Sequence, residues 1–266
     1  MLSRTVPKPR LQLQTTTLWQ YPSGQYGKGG QGDPNYRGAT PSYVIWNLLQ
    51  RYTLEKHLVV DPMAGGGTTL DVARDLNRRA LGYDLQPTRR DVFRADARKL
   101  PLEDGKADFI FCDPPYGNHL KYSGSPACIG ELDAHEPAYF EAMNQVFGEF
   151  DRILRPDRYL AVYTGDSWSR KGFVPIGARF MAMLEQQFQP VDHVAVVRGN
   201  RDLQKGNYHQ AAEQHNFYLR GFHHLLIFYK PEARSRSTPY RSKSSRRRSR
   251  QAGTTRAAAP KRKTGR

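Results

Sequence analysis

Short apolar runs alternate with amphipathic stretches over most of the chain. Six apolar runs predict buried strands, over residues 57–60, 80–83, 109–112, 159–163, 193–197 and 224–229. Apolar residues at helical spacing predict helices over residues 41–52, 68–77, 138–154 and 176–188. Strands that alternate with helices are typical of an α/β domain with a doubly wound, mostly parallel sheet and helices on both faces.

Acidic side chains follow four of these predicted strands at their carboxyl ends. They are Asp61, Asp84, Asp113 and Asp166. Because doubly wound sheets bind ligands beyond the carboxyl ends of their strands, this edge of the sheet is the predicted binding site.

The charge distribution predicts three segments, with a catalytic domain over residues 40–230 between an extended arm (1–39) and a disordered tail (231–266). The formal net charge is +16. The tail, rich in Ser, Arg and Lys, holds 13 Lys/Arg and one Glu, and the first 32 residues hold four Lys/Arg and no acid. Residues 33–230 are therefore neutral, and the two basic ends favour binding to a polyanion.

Other features restrict the class of protein. No apolar run reaches the roughly 18 residues of a membrane-spanning helix, and the first residues lack the apolar stretch of a signal peptide. With only two cysteines, Cys112 and Cys128, a disulfide framework is excluded. A cytoplasmic protein that associates with the nucleoid and makes no membrane contact is expected. No metal site is predicted, since His223 and His224 lack partners at ligand spacing.

The segment 61–69, D-P-M-A-G-G-G-T-T, lies between a predicted strand and a predicted helix. A phosphate-binding P-loop requires a Lys that is missing here, and the dinucleotide motif requires a third Gly where Leu70 stands. A loop for a neutral or cationic nucleoside remains. Asp84, which closes the next strand, is placed to accept ribose hydroxyls. Asp96 is either an acceptor for the adenine amino group or an acid on a surface loop.

A second motif, D-P-P-Y, follows the apolar run 109–112 at residues 113–116. Alone it would be a turn, but here it ends a buried strand and follows the glycine loop. Together the two motifs resemble S-adenosylmethionine-dependent amino-methyltransferases. Residues 40–84 look like small site-specific DNA methyltransferases that act on cytosine N4 or adenine N6. Met63 departs from the resemblance, because these enzymes usually have Phe there.

The resemblance implies a seven-stranded sheet of the methyltransferase type and S-adenosyl-L-methionine as cofactor. It implies cofactor contacts along the glycine loop, at the end of the next strand and at Asp96: Asp61, Met63, Ala64, Gly65, Gly67, Asp84 and Asp96. The implied catalytic group is Asp113, Pro114, Pro115 and Tyr116. Asp113 and the Pro114 carbonyl would accept hydrogen bonds from the two N–H groups of an exocyclic amine. The amine nitrogen could then present its lone pair to the methyl group. Tyr116 would stack on a base rotated out of the duplex.

Double-stranded DNA is the expected partner, with cytosine N4 slightly favoured over adenine N6. Segments 117–137 and 198–221 are the predicted base-reading loops. D-P-P-Y-G also resembles transfer-RNA methyltransferases of guanosine N2, so an RNA enzyme is the alternative. A non-catalytic nucleic-acid binder is a third. A role in restriction–modification with a cognate nuclease stays open.

Overall fold

The computed structural model describes residues 11–21, 24–26, 30–36, 38–117, 124–169, 171–197 and 205–232. The tail predicted for residues 231–266 lies outside this part of the chain, apart from its first two residues. The described helices include none that is long and apolar enough to cross a membrane.

An eight-stranded sheet forms the centre of the fold. Its strands, in chain order, are β1 (Leu18–Trp19), β2 (Leu58–Asp61), β3 (Arg79–Asp84), β4 (Val92–Arg94), β5 (Ala107–Cys112), β6 (Leu154–Thr164), β9 (Gln189–Val197) and β10 (Phe222–Lys230). Strands β7 (Ser167–Ser169) and β8 (Gly172–Val174) form a separate hairpin. Across the sheet the order is β1-β9-β10-β6-β5-β2-β3-β4, and β10 runs antiparallel to both of its neighbours.

In the part of the chain that the structure describes, five α-helices accompany these strands. They are α1 (Ser42–Tyr52), α2 (Thr68–Asp75), α3 (Pro137–Ile153), α4 (Ile176–Leu184) and α5 (Gly206–Gln214), and a 3₁₀ turn covers Ile129–Glu131. Helix α3 begins with Pro137 at its first position, where the missing N–H has no intrahelical partner to lose. Helix α2 begins directly after the three glycines of the glycine loop, and Gly67 is its N-cap residue.

The two faces of the sheet bury two separate sets of side chains. Successive residues of a strand point to opposite faces, so Ile110 packs with α3 and α4 whereas Phe109 packs with α1 and α2. Strands β5 and β6 have helices on both sides and are apolar on consecutive residues, as expected for the centre of a doubly wound sheet. The α/β architecture with helices on both faces is as predicted.

Several elements escape the sequence pattern. Strands β1 and β4 have two and three residues, too few to show a periodicity. The hairpin β7–β8 lies in a stretch that was not predicted as regular structure, and α5, within the predicted loop 198–221, buries no residue. With β1 the main sheet has one strand more than the seven that the resemblance implies.

The N-terminal arm contributes that extra strand. Strand β1 pairs in parallel with β9, and Trp19 is only 3% exposed on the face that α1 covers. The Trp19 indole N–H donates to the Thr16 carbonyl at 2.7 Å. Tyr26 is also buried, and its hydroxyl donates to Asp75 of α2 at 3.0 Å. The described part of the arm is therefore packed on the domain.

We expect Trp19→Ala to lower the free energy of unfolding by about 3 kcal/mol, because it removes a fully buried aromatic ring and leaves a cavity. The neighbouring Leu18 is 62% exposed, and Leu18→Ala should change stability by no more than about 0.5 kcal/mol. Urea unfolding followed by circular dichroism measures both variants. Equal effects of the two substitutions would contradict the packing of the arm.

Candidate active site

A cavity of about 460 Å³ opens at the carboxyl ends of β2, β3 and β5. Three of the strand-end acids, Asp61, Asp84 and Asp113, line it together. The parallel pairing of β2 with both β3 and β5 brings these residues to one edge, although they are far apart in sequence. The fourth, Asp166, is not among the lining residues. Its carboxylate accepts the Gly177 N–H at 3.0 Å and lies 3.0 Å from His224 Nε2.

Asp61 is the most enclosed of the three, with 4% of its surface exposed. Its carboxylate accepts the Thr69 hydroxyl at 2.5 Å and the Met63 N–H at 3.1 Å, which ties the end of β2 to the glycine loop and to α2. Burial raises the pKa of Asp61 to about 7, although these two hydrogen bonds oppose the shift. Asp61 thus stabilises the conformation of the glycine loop through buried hydrogen bonds.

Asp113 lies in the same cavity and is held by two hydroxyl groups. Thr40 donates to its Oδ2, and the Tyr116 hydroxyl donates to its Oδ1 at 2.7 Å. Burial raises the pKa of Asp113 to about 7, and the nearby Asp61 adds to the increase, whereas both hydroxyls oppose it. The carboxylate is therefore fixed in orientation and much more basic than an ordinary aspartate.

The proline segment after Asp113 is anchored from α3. The Tyr139 hydroxyl donates to the Pro115 carbonyl at 2.6 Å, and Tyr139 itself is fully buried. Each proline fixes its own φ angle, so the main chain between Asp113 and Tyr116 has few alternative conformations. The two prolines and the Tyr139 hydrogen bond therefore hold the Pro114 carbonyl in one direction.

Tyr116 has a role that its position in the motif did not predict. Besides its hydrogen bond to Asp113, its ring lies 5.7 Å from the ring of His223 and borders Gly165, where a Cβ atom would lie 3.3 Å from the tyrosine ring. It thus orients the Asp113 carboxylate and also forms part of the cavity wall.

The glycine loop is enclosed by protein groups on two sides. Gly65 and Gly67 have φ angles of +46° and +76°, which side chains rarely adopt. A Cβ at Gly65 would lie 2.6 Å from the Tyr36 ring, and one at Gly67 would lie 2.7 Å from the Arg89 guanidinium. The glycines therefore make room for Tyr36 and Arg89, whereas the sequence had suggested room for a ligand alone.

Arg89 and the arm hold this loop together. Arg89 donates to the Gly66 carbonyl at 3.2 Å and forms a salt bridge with Asp71 of α2 at 2.8 Å. From the arm, the Gly32 N–H donates to Asp71 and the Asp33 N–H donates to Gly66, both at 2.8 Å. The loop is thus fixed between the first helix turn and a segment more than 30 residues upstream.

Tyr36 extends the arm over the cavity. Its ring contacts the loop at Gly65, and its side chain lines the cavity. Burial, together with the negative charges of Asp84, Asp113 and Asp61, raises the pKa of Tyr36 to about 12. The hydroxyl therefore stays protonated at neutral pH and provides a donor among three carboxyl groups.

The two remaining predicted cofactor acids differ in their surroundings. Asp84 accepts the Gly65 N–H of the glycine loop at 3.0 Å and the Gln86 N–H at 2.8 Å, so both of its oxygens are held by main-chain donors. Asp96 also lines the cavity, but both of its oxygens accept hydrogen bonds from Arg98. Burial would raise the pKa of Asp96, and the Arg98 bonds outweigh burial and hold it below its usual value.

Every predicted site residue except Gly67 lines this cavity, and Gly67 begins α2 beside it. Part of the predicted base-reading segment 117–137 lines it too, through Ala127–Gly130, whereas residues 118–123 and 198–204, with Tyr122 and Arg201, lie outside the described residues. The sequence reasoning missed Tyr36, Thr69, Arg89 and Tyr139. The sequence reasoning assigned Thr40 no role in the site. Its contact with Asp113 joins residues 73 positions apart, and no sequence pattern indicates such a contact.

A comparison with protein families finds a match in the first third of the chain. The sequence model of a family described as DNA methylase, N6_N4_Mtase, matches residues 6–94. Over that third of the chain, this protein is similar to DNA methylases. The match includes the glycine loop and Asp84 and ends before Asp113. No curated protein matches the sequence.

Solved structures show the fold. The [4+2]-cyclase SpnF has a TM-score of 0.50 at 16% identity, and the match covers 78% of this chain and 88% of SpnF. TrmN from Thermus thermophilus has a TM-score of 0.46 at 19% identity, with 73% of this chain and 50% of TrmN covered. A geranyl diphosphate methyltransferase in complex with GPP and sinefungin has a TM-score of 0.46 at 14% identity, covering 71% and 78%. The likeness to SpnF concerns the fold alone, and the predicted α/β class with a mostly parallel sheet is confirmed.

The buried acids predict a pH-dependent stability. The pKa of Asp113 rises from 3.8 to about 7 on folding, so its carboxylate destabilises the folded state progressively as pH increases between about 4 and 7. Asp113→Asn has no charge to bury. We therefore expect its melting temperature, relative to that of the unsubstituted protein, to increase from pH 5 to pH 8. Calorimetric melting at several pH values measures this difference, and a difference that stays constant would contradict the raised pKa.

Proposed function

We propose that this protein transfers a methyl group from S-adenosylmethionine to the exocyclic amine of a DNA base, cytosine N4 or adenine N6. The observation that carries the proposal is the position of Asp113. Its carboxylate, in the D-P-P-Y segment, faces the same cavity as the glycine loop and Asp84. The similarity to DNA methylases over residues 6–94 supports DNA as the substrate.

The cavity suits a cationic nucleoside better than a phosphate. Its volume of about 460 Å³ lies in the usual range for small-molecule sites. Four aspartates line it, and an anionic ligand would meet their repulsion. Each Asp84 oxygen accepts one main-chain N–H and keeps capacity for a second bond, so the carboxylate can accept ribose hydroxyls. When bound, S-adenosylmethionine supplies an electrophilic methyl group on a positively charged sulfur.

Asp113 and Pro114 would prepare the amine for reaction. The lone pair of an aromatic amine is delocalised into the ring, which makes the nitrogen a weak nucleophile. If the Asp113 carboxylate and the Pro114 carbonyl each accept a hydrogen bond from one N–H group of the amine, the nitrogen becomes pyramidal. Its lone pair then points away from both acceptors. Thr40 and Tyr116 keep the carboxylate in the orientation that this requires.

The same carboxylate is suited to accept a proton. When the new nitrogen–carbon bond forms, the amine nitrogen becomes positively charged and must lose one proton. An aspartate with a pKa of about 7 takes up that proton more readily than one with an ordinary pKa. Asp113 then returns the proton to solvent before the next turnover.

One assay tests this function against the RNA alternative. The protein is incubated with methyl-labelled S-adenosylmethionine and with genomic DNA or total RNA in parallel. Label transferred to DNA, recovered as N4-methylcytosine or N6-methyladenine on nucleoside analysis, is the expected result. Label in RNA alone would favour the guanosine N2 activity, and label in neither would contradict methyl transfer to nucleic acid.

Asp113→Ala should abolish methyl transfer while cofactor affinity stays nearly unchanged, because Asp113 acts on the amine and Asp84 on the nucleoside. The measurement is turnover at saturating S-adenosylmethionine together with calorimetric binding. Asp104→Ala provides the control, since the side chain of Asp104 is 80% exposed. Near-normal turnover of Asp113→Ala would exclude the proposed catalytic group.

Asp84→Ala should weaken S-adenosylmethionine binding roughly ten- to a hundredfold, since a lost hydrogen bond to a charged group typically costs about 1.5–3 kcal/mol. Isothermal titration calorimetry measures the dissociation constant. The exposed Glu103→Ala is the matched control, because its side chain is 78% exposed and lines no part of the cavity. If Asp84→Ala binds as tightly as the control does, the ribose is held elsewhere.

A further inference from the structure

Exposed aromatic side chains are concentrated in one part of the fold. Trp168 and Phe173, on the hairpin β7–β8, are 41% and 50% exposed. Tyr218 and Phe222, before and at the start of β10, are 86% and 44% exposed. Large apolar side chains that stay accessible on neighbouring segments are typical of a binding surface.

Four residues on these segments form a continuous group, here called the aromatic ridge: Trp168, Phe173, Phe217 and Arg220. Trp168 and Phe173 stand directly opposite each other in the hairpin, so their side chains share one face. Phe217 stacks on Trp168 with ring centroids 4.4 Å apart and planes inclined by 16°. The Arg220 guanidinium lies 5.0 Å from the centroid of the Phe173 ring.

The ridge borders the catalytic segment along two connections. Trp168 follows Gly165 by three residues, a span of at most about 10 Å, and Gly165 lies against the Tyr116 ring. On the other strand of the hairpin, the Gly172 carbonyl lies 3.3 Å from His135 Nε2. His135 adjoins Ala134, which packs against Gly117 directly after the D-P-P-Y motif.

We infer that the aromatic ridge stacks on a nucleobase of the DNA substrate that flanks the base entering the cavity. The inference rests on the proposed function, and it names the surface that holds the strand beside the reacting base. Flat rings combined with a guanidinium match a nucleic acid, since the rings stack on bases while the cation attracts the phosphate backbone. A base that leaves the duplex also exposes the faces of its neighbours for such stacking.

The test measures binding separately from catalysis. Fluorescence anisotropy without cofactor gives the affinity of the protein for a fluorescein-labelled single-stranded DNA oligonucleotide of mixed sequence. Trp168→Ala and Phe173→Ala should weaken binding roughly five- to a hundredfold, the range expected for loss of one stacked base. Trp168→Phe, which keeps a flat ring, should bind within about threefold of the unsubstituted protein, whereas Trp168→Leu should bind as weakly as the alanine variant.

Phe93→Ala is the matched control. Phe93 is 52% exposed, as an aromatic side chain on β4 at the other edge of the sheet, and it lines no part of the cavity. The control should bind DNA as the unsubstituted protein does. Because Trp168 and Phe173 also contact Phe217 and Arg220, the melting temperature of each variant is measured alongside and should stay well above the temperature of the binding assay. If Trp168→Ala binds DNA as tightly as the control, the inference is overturned.

The remaining outcomes separate this inference from the proposed function. If DNA is methylated with the same Michaelis constant by Trp168→Ala, the function stands and the ridge is excluded. If binding depends on Trp168 but no DNA is methylated, the ridge stands as a DNA contact and the methyl-transfer proposal fails. A loss of affinity confined to an RNA oligonucleotide overturns DNA as the occupant. A dimer that Trp168→Ala converts to a monomer, seen by size-exclusion chromatography, also overturns the inference.

Discussion

Parallel pairing of β2 with β3 on one side and β5 on the other is the constraint on which the site depends. In this register Asp61 lies beside Gly82, two residues before the end of β3, and Val60 lies beside Ile110. The carboxyl ends of three strands consequently meet at one edge, and each ends in or is followed by an aspartate. A shift of one residue would turn these side chains to the other face of the sheet and separate the carboxylates from the cavity.

Bringing acids together in an enclosed cavity is unfavourable, and much of the surrounding structure offsets that effect. Burial raises the pKa of both Asp61 and Asp113 to about 7. Hydroxyl donors stabilise the ionised forms, Thr69 at the start of α2 for Asp61 and the sequence-distant Thr40 for Asp113. Because burial disfavours the charged carboxylate, Asp113 becomes basic enough for the chemistry proposed for it.

The N-terminal arm is part of the site as well as of the fold. Strand β1 extends the sheet beyond β9, and Gly32, Asp33 and Tyr36 then reach back to the glycine loop. The same sheet edge continues through Gly165 into the hairpin that carries the aromatic ridge. The proposed cofactor site, the Asp113 carboxylate and the proposed DNA contact thus share one edge because consecutive connections leave the strands there.

The sequence by itself determined the alternation of strands and helices, the fold class, and the two motifs that supply Asp61, Asp84 and Asp113. Those features are local, since a buried strand and the polar residue after it are adjacent along the chain. Tertiary structure alone decided that Thr40 holds the Asp113 carboxylate and that Tyr36 covers Gly65. Contacts such as that of Thr40 with Asp113 join residues whose separation carries no periodicity, and strands as short as β1 form only because a partner edge is already present.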